Sequence, residues 1–133
     1  MPTDATATYK GIAGFSDVPG PFVPGEATDL AEIELRADFG ASTISGSLTN
    51  FRFEEGDGAS VAVPGTVNIA ETSIAGNSYA STLSGSVIAD GSSLAVTGNI
   101  DGTFIGAEAA AIAGGINVNM DDFALSGIYI AER

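Results

Sequence analysis

Between residues 29 and 53 the chain changes character at every step. Ile33, Leu35, Ala37 and Phe39 share one parity, and Glu32, Glu34, Arg36 and Asp38 share the other. A period of two belongs to a strand with one buried and one wet face. Gly40-Ala41 makes a tight connection, after which Ile44, Gly46, Leu48 and Asn50 alternate with Thr43, Ser45, Ser47 and Thr49. Residues 30–53 therefore read as a hairpin. The same period recurs along the chain. Ala5–Gly14 opens it, with Tyr9 as its one large side chain. Ser60–Ala70 carries Val61, Val63, Val67 and Ile69 in phase, with Pro64 marking an edge or a bulge. Asn77–Ala89 places Tyr79, Leu83 and Val87 in phase around Gly85. Asp90-Gly91 is a hairpin-turn dipeptide leading into Leu94–Phe104, where Leu94, Val96, Ile100 and Phe104 recur at even spacing. Gly115–Met120 and Phe123–Ala131 close the chain across Asp121-Asp122.

One stretch departs from this rhythm. Ala107–Ala113 reads AEAAAIA, rich in the best helix former, and Gly114-Gly115 follows where a C-cap would stand. It predicts a helical turn wedged between two strands. The strand runs number about eight, joined by short turns, which suits an antiparallel up-and-down meander. That is also the number at which a sheet closes on itself with side chains filling the interior, leaving no open edges. The expectation is an all-β chain forming one domain over 1–133. Its architecture would be an eight-stranded antiparallel up-and-down β-barrel with one short helical turn before the last two strands. A two-sheet sandwich is the competitor. Glycines inside strand patterns, at Gly46, Gly85, Gly98, Gly102 and Gly127, read as points of barrel curvature. A membrane-spanning barrel would need an apolar outer band with aromatic girdles, and aromatics make up only 8% of the chain.

Charge and composition narrow the function. The 133 residues carry 17 carboxylates against four cations, for a formal net charge of −13. A nucleic-acid backbone would be repelled, so nucleic acid is excluded as a partner. Any partner steered by charge is basic, although an acidic surface also serves plain solubility. With no cysteine, the redox compartment cannot be read. No apolar run reaches the ~20 residues of a membrane helix, and the Met1-Pro2-Thr3-Asp4 start has no leader-like segment.

The chemical inventory argues against an enzyme. Without His or Cys, neither a Ser/His/Asp nor a Cys/His arrangement can be built. Glu54 with Glu55 and Asp121 with Asp122 are neighbours in turns, and Glu32 with Glu34 lies on a wet strand face, so none forms a cleft pair. Zinc or copper sites built from His and Cys are excluded, and the acidic turns do not follow the twelve-position calcium-loop pattern. No cofactor and no metal is expected.

Several stretches together resemble a known family. Gly98–Gly115, GNIDGTFIGAEAAAIAGG, is similar to the β-barrel domain of bacterial transferrin-binding protein B. There a G-x-F-x-G strand is followed by a short alanine/glutamate-rich turn and a glycine-led strand. Gly102, Phe104, Gly106, Ala107, Glu108, Ala109, Ile112, Gly114 and Gly115 occupy those positions here. Ala37-Asp38-Phe39 to Gly46-Ser47-Leu48 resembles the family's hairpin, and Ser126–Arg133 its terminal G-x-F-x-A-x-R strand. The likeness runs from about residue 35 to the end. It departs in lacking the family's Pro-Asn after the glycine and the adjoining handle domain.

The resemblance implies an eight-stranded barrel exported by a Gram-negative bacterium. It would sit at the outer membrane surface, in the periplasm or outside the cell, with a lipid anchor compatible with a full-length precursor. Its role would be a binding module for a protein partner or solute in iron-type nutrient acquisition. Two alternatives stand beside it: a structural or adhesive module of a larger surface protein, and a lipocalin-like carrier with its ligand inside the barrel. An empty interior lined by Tyr79, Phe104 and Tyr129 would favour the carrier, and a packed one would count against it. Rigid barrels carry function on loops. The candidate binding residues are Phe22 and Val23 in the proline-rich Asp17–Gly25 stretch, Glu54, Glu55 and Asp57 in the acidic turn after the first hairpin, and Asp121 and Asp122. No transferrin-binding residue carries over from the family.

Overall fold

The computed structural model describes residues 6–16, 29–54, 60–89, 91–120 and 123–133. It contains nine strands: β1 (Thr6–Ser16), β2 (Asp29–Asp38), β3 (Thr43–Glu54), β4 (Ser60–Val63), β5 (Gly65–Ser73), β6 (Ser78–Ala89), β7 (Ser92–Ile105), β8 (Ala111–Met120) and β9 (Phe123–Glu132). Every pairing is antiparallel, and each strand from β6 onward lies beside its predecessor. The ring is closed by β1, which pairs with β2 on one side and β9 on the other, while β2 pairs with β3. β4 and β5 both pair with β3 and are one stave interrupted at Pro64, whose nitrogen cannot donate to a ladder. The result is the expected closed, eight-staved, up-and-down barrel.

The alternation seen in the sequence sorts residues between interior and wall as expected. Ile33, Leu35, Ala37 and Phe39 are buried, as are Leu83, Val87, Val96, Ile100 and Phe104, while Leu94 is half-buried. Curvature brings strand backbones close at several inward glycines. A Cβ on Gly46 would run into the Glu34 carbonyl across the barrel wall, and one on Gly98 into that of Asn117. Glycine is required there by contact.

The helical turn expected within 107–113 is present as one 3-10 turn, Ala107–Ala109. Seven alanine-rich residues are too few to sustain a helix by propensity. Ala111–Ala113 instead pair with Thr103–Ile105 of β7 and Ile130–Glu132 of β9, and Ile112 is fully buried. Gly114 and Gly115, expected as a C-cap, lie inside β8.

Antiparallel order puts the turns at residues 39–42, 74–77 and 106–110, the start of β1 and the end of β9 at one pole. That pole is tightly closed. The Tyr9 hydroxyl donates to the Ala109 carbonyl at 2.6 Å, and the Phe104 ring meets the edges of Tyr9 and Phe39. Arg133 locks the turn from outside. Its backbone N–H donates to the Ala110 carbonyl, its Nε to that of Ala109 and its Nη2 to that of Glu108. The guanidinium stands 5.8 Å from the ring centres of both Tyr9 and Phe39. Glu108 and Ala109 have φ of 57° and 52°, a region that costs a residue with a Cβ. Those capped carbonyls hold the turn there.

Candidate functional site

The opposite pole carries the strand ends that border the other connections in the sequence, residues 17–28, 55–59, 90–91 and 121–122. All seven candidate residues belong to them or border them. Phe22, Val23, Glu55, Asp57, Asp121 and Asp122 lie outside the described residues. Glu54 ends β3, its backbone in register with Ser60. The strand ends bordering these connections are thus brought to one pole. Among the described residues, no group of three or more carboxylates is placed to hold a metal ion, and no helix is long and apolar enough to cross a membrane.

Among the described residues the interior is filled. Tyr79, Phe104 and Tyr129, which would line an empty barrel, are at most 4% exposed. The Tyr79 and Tyr129 hydroxyls share a hydrogen bond of 2.6 Å. They fit because Gly102 has no side chain, since a Cβ there would meet the Tyr129 hydroxyl and lie 2.7 Å from Tyr79 Cε1. Burial pushes the Tyr79 hydroxyl from 10.0 up to about 12, with the bond from Tyr129 pulling the other way and the charge of Asp101 adding a little. Burial also raises Tyr129, as do its Tyr79 neighbour and Asp101. A raised tyrosine pKa favours the neutral form in the folded state, so this stability is complete below pH 10 and lost as pH climbs through 12. A melting temperature followed from pH 8 to pH 12.5 should hold flat to about pH 10 and fall steeply above it. Tyr79→Phe should flatten that fall.

The wall carries a site that alternation alone did not reveal. In the hairpin Leu30 pairs with Arg52 and Glu32 with Thr49, so Asn50 and Phe51 together oppose Ala31. Asn50 takes φ of 53°, a bulge conformation asparagine tolerates. The expected inward position of Asn50 is thereby overturned. Asn50 is exposed and its amide donates to the Glu32 carboxylate, while Phe51 turns inward. Arg52 is left facing outward beside Leu30. The bulge and the Pro64 break together border an open groove of about 820 Å3 on the outer wall, lined by Ile12, Leu30, Thr49, Arg52, Pro64 and Thr66 among others. The one signal for it in the sequence was the three-residue step from Leu48 to Phe51, where a strand of constant phase would step by two or four.

The described geometry defines a class: a closed antiparallel barrel with a packed core among the described residues, sealed at the pole where β1 begins and β9 ends. The family model for the C-lobe and N-lobe beta barrels of Tf-binding protein B matches residues 1–133. The chain belongs to that family. Among solved structures, intact Ap-TbpB, with N and C lobes, is similar at 17% identity and a TM-score of 0.50, over 98% of this chain and 30% of that one. The Trp-176-Ala mutant of the vaccine antigen Transferrin Binding Protein B from Haemophilus parasuis Hp5 matches at 21% identity and a TM-score of 0.48, over 98% and 26%. A surface lipoprotein matches at 18% identity and a TM-score of 0.49, over 98% and 62%. This chain therefore spans between about a quarter and two thirds of the length of these proteins. No curated protein sequence matches.

Proposed function

We propose that this barrel is an extracytoplasmic binding domain, working at the bacterial surface in iron-type nutrient acquisition. It engages a protein partner through the connections at its open pole. One observation carries the reading. The four segments that join the strand ends at that pole in the sequence contain Asp17, Glu26, Glu55, Asp57, Asp90, Asp121 and Asp122 and no lysine or arginine. A rim of one charge sign steers a partner of the other, so the partner surface is basic. Phe22 and Val23 supply the apolar contact, and Glu54, Glu55, Asp57, Asp121 and Asp122 the charge. Family membership supports a role in binding, because the family's barrels are those of a protein named for transferrin. The packed interior favours the rim over a ligand held inside.

Iron-loaded transferrin passed over immobilised barrel tests this directly. We expect saturable binding that weakens with salt and falls roughly tenfold in Asp121→Asn/Asp122→Asn, in line with a like-signed rim that sets encounter. Absence of binding, or binding indifferent to salt and to those changes, overturns the reading. Native mass spectrometry of the folded and unfolded protein is the companion measurement. An added mass present only when folded would favour a solute over a protein partner.

A further inference from the structure

Two observations on the outer wall meet at one place. The first is the groove beside the Asn50 bulge. Its lining includes Arg52, one of four cations in a chain of 17 carboxylates. Arg36 is paired with Glu34, but no carboxylate stands within ion-pair distance of Arg52 among the described residues. A guanidinium with no ion-pair partner among the described residues is available to an outside anion. Thr49 and Thr66 line the same groove.

The second observation is apolar. Six large hydrophobic residues are exposed among the described residues, and four of them adjoin on the wall. Leu30 is 42% exposed, Ile12 55%, Ile128 44% and Ile130 50%. The register makes them neighbours: Ile12 is paired with Ile130, while Gly14 stands between Leu30 and Ile128. Ile12 and Leu30 also line the groove, so the apolar strip runs out of it across β2, β1 and β9. Exposed apolar residues scattered singly need no explanation, but a contiguous strip ending at an exposed cation does.

We propose that this groove binds a single-chain amphiphile with a carboxylate head, of the fatty-acid class. The head lies at Arg52, where a guanidinium can meet a carboxylate through two parallel hydrogen bonds. The threonine hydroxyls supply further donors. The tail lies along Leu30 and Ile12 toward Ile130, removing its own surface and theirs from water. A singly charged head suits the site better than a dianion, because Glu32 borders it and the net charge is −13. The ligand is held outside the barrel, so the packed interior is no obstacle. The groove residues lie on strands, and the proposal does not rest on the partner proposed above.

Decanoate below its micelle concentration is the probe, with 1-decanol as its neutral counterpart, titrated into the full chain by calorimetry. Wild type should bind decanoate saturably at one site. Arg52→Gln should weaken decanoate about tenfold, the size of one charge-assisted contact, and leave 1-decanol unchanged. Leu30→Ser should weaken both, and Arg36→Gln neither. All three side chains are solvent-exposed, so circular dichroism should show intact barrels. Amide shifts on adding decanoate should fall on Thr49, Asn50 and Thr66. The proposal is overturned by the absence of saturable binding, by Arg52→Gln binding decanoate as wild type does, or by shifts centred on Tyr79 and Tyr129.

Discussion

Replacing Phe104 with alanine is expected to lower the stability of the barrel by roughly 3–5 kcal/mol, the range for deleting a large buried ring. Phe104 is 4% exposed and meets Tyr9 and Phe39 edge-on, with ring centres 5.8 and 5.6 Å away. Those two rings also lie beneath the Arg133 guanidinium, and Tyr9 holds the Ala109 carbonyl. Removing the ring therefore opens a cavity under the whole closed pole, and the 3-10 turn loses the floor it rests on. Guanidinium chloride unfolding would show the loss as a lower midpoint. A midpoint displaced by less than 1 kcal/mol equivalent would mean that the turn and Arg133 close the pole without the aromatic floor.

The second large effect runs in the opposite direction, from too little space. Gly102→Ala is expected to cost roughly 1–3 kcal/mol, as overpacking of a filled core does. The new methyl would occupy the place of the Tyr129 hydroxyl and press on Tyr79, breaking the bond between them. The cause can be separated by combining it with Tyr129→Phe, which removes the hydroxyl the methyl would meet. The pair should then cost less than the sum of the two single changes, because the residues share one contact. Strictly additive costs would place the strain in the β7 backbone.

How much of this could be read in advance depended on the range of the interaction. Ile33, Leu35, Ala37 and Phe39 declared their face because alternation is local to a strand. Gly46 and Gly98 were legible as curvature points because glycine in a strand pattern has few other reasons to be there. The helical turn expected within 107–113 is present but stops at Ala109, because Ile112 is claimed by ladders on both sides. The wall groove was hidden for a similar reason. It exists because a bulge at Asn50 puts Arg52 beside Leu30, residues far apart in the chain whose register no local pattern records. The tyrosine pair needed β6 and β9 to face each other across the barrel. Of the seven candidate binding residues, Glu54 alone lies among the described residues, at the end of β3.

The closure of the ring through β1 and β9 has a kinetic consequence. Its two staves come from opposite ends of the described chain, with Lys10 opposite Glu132 and Tyr9 bonded to Ala109 a hundred residues away. Contacts of such long sequence separation make a chain fold slowly, because the loop must close before they form. Until Arg133 has emerged, β1 has one partner and one bare edge. A nascent barrel of this design stays open, and prone to pairing with its neighbours, until its last strand arrives.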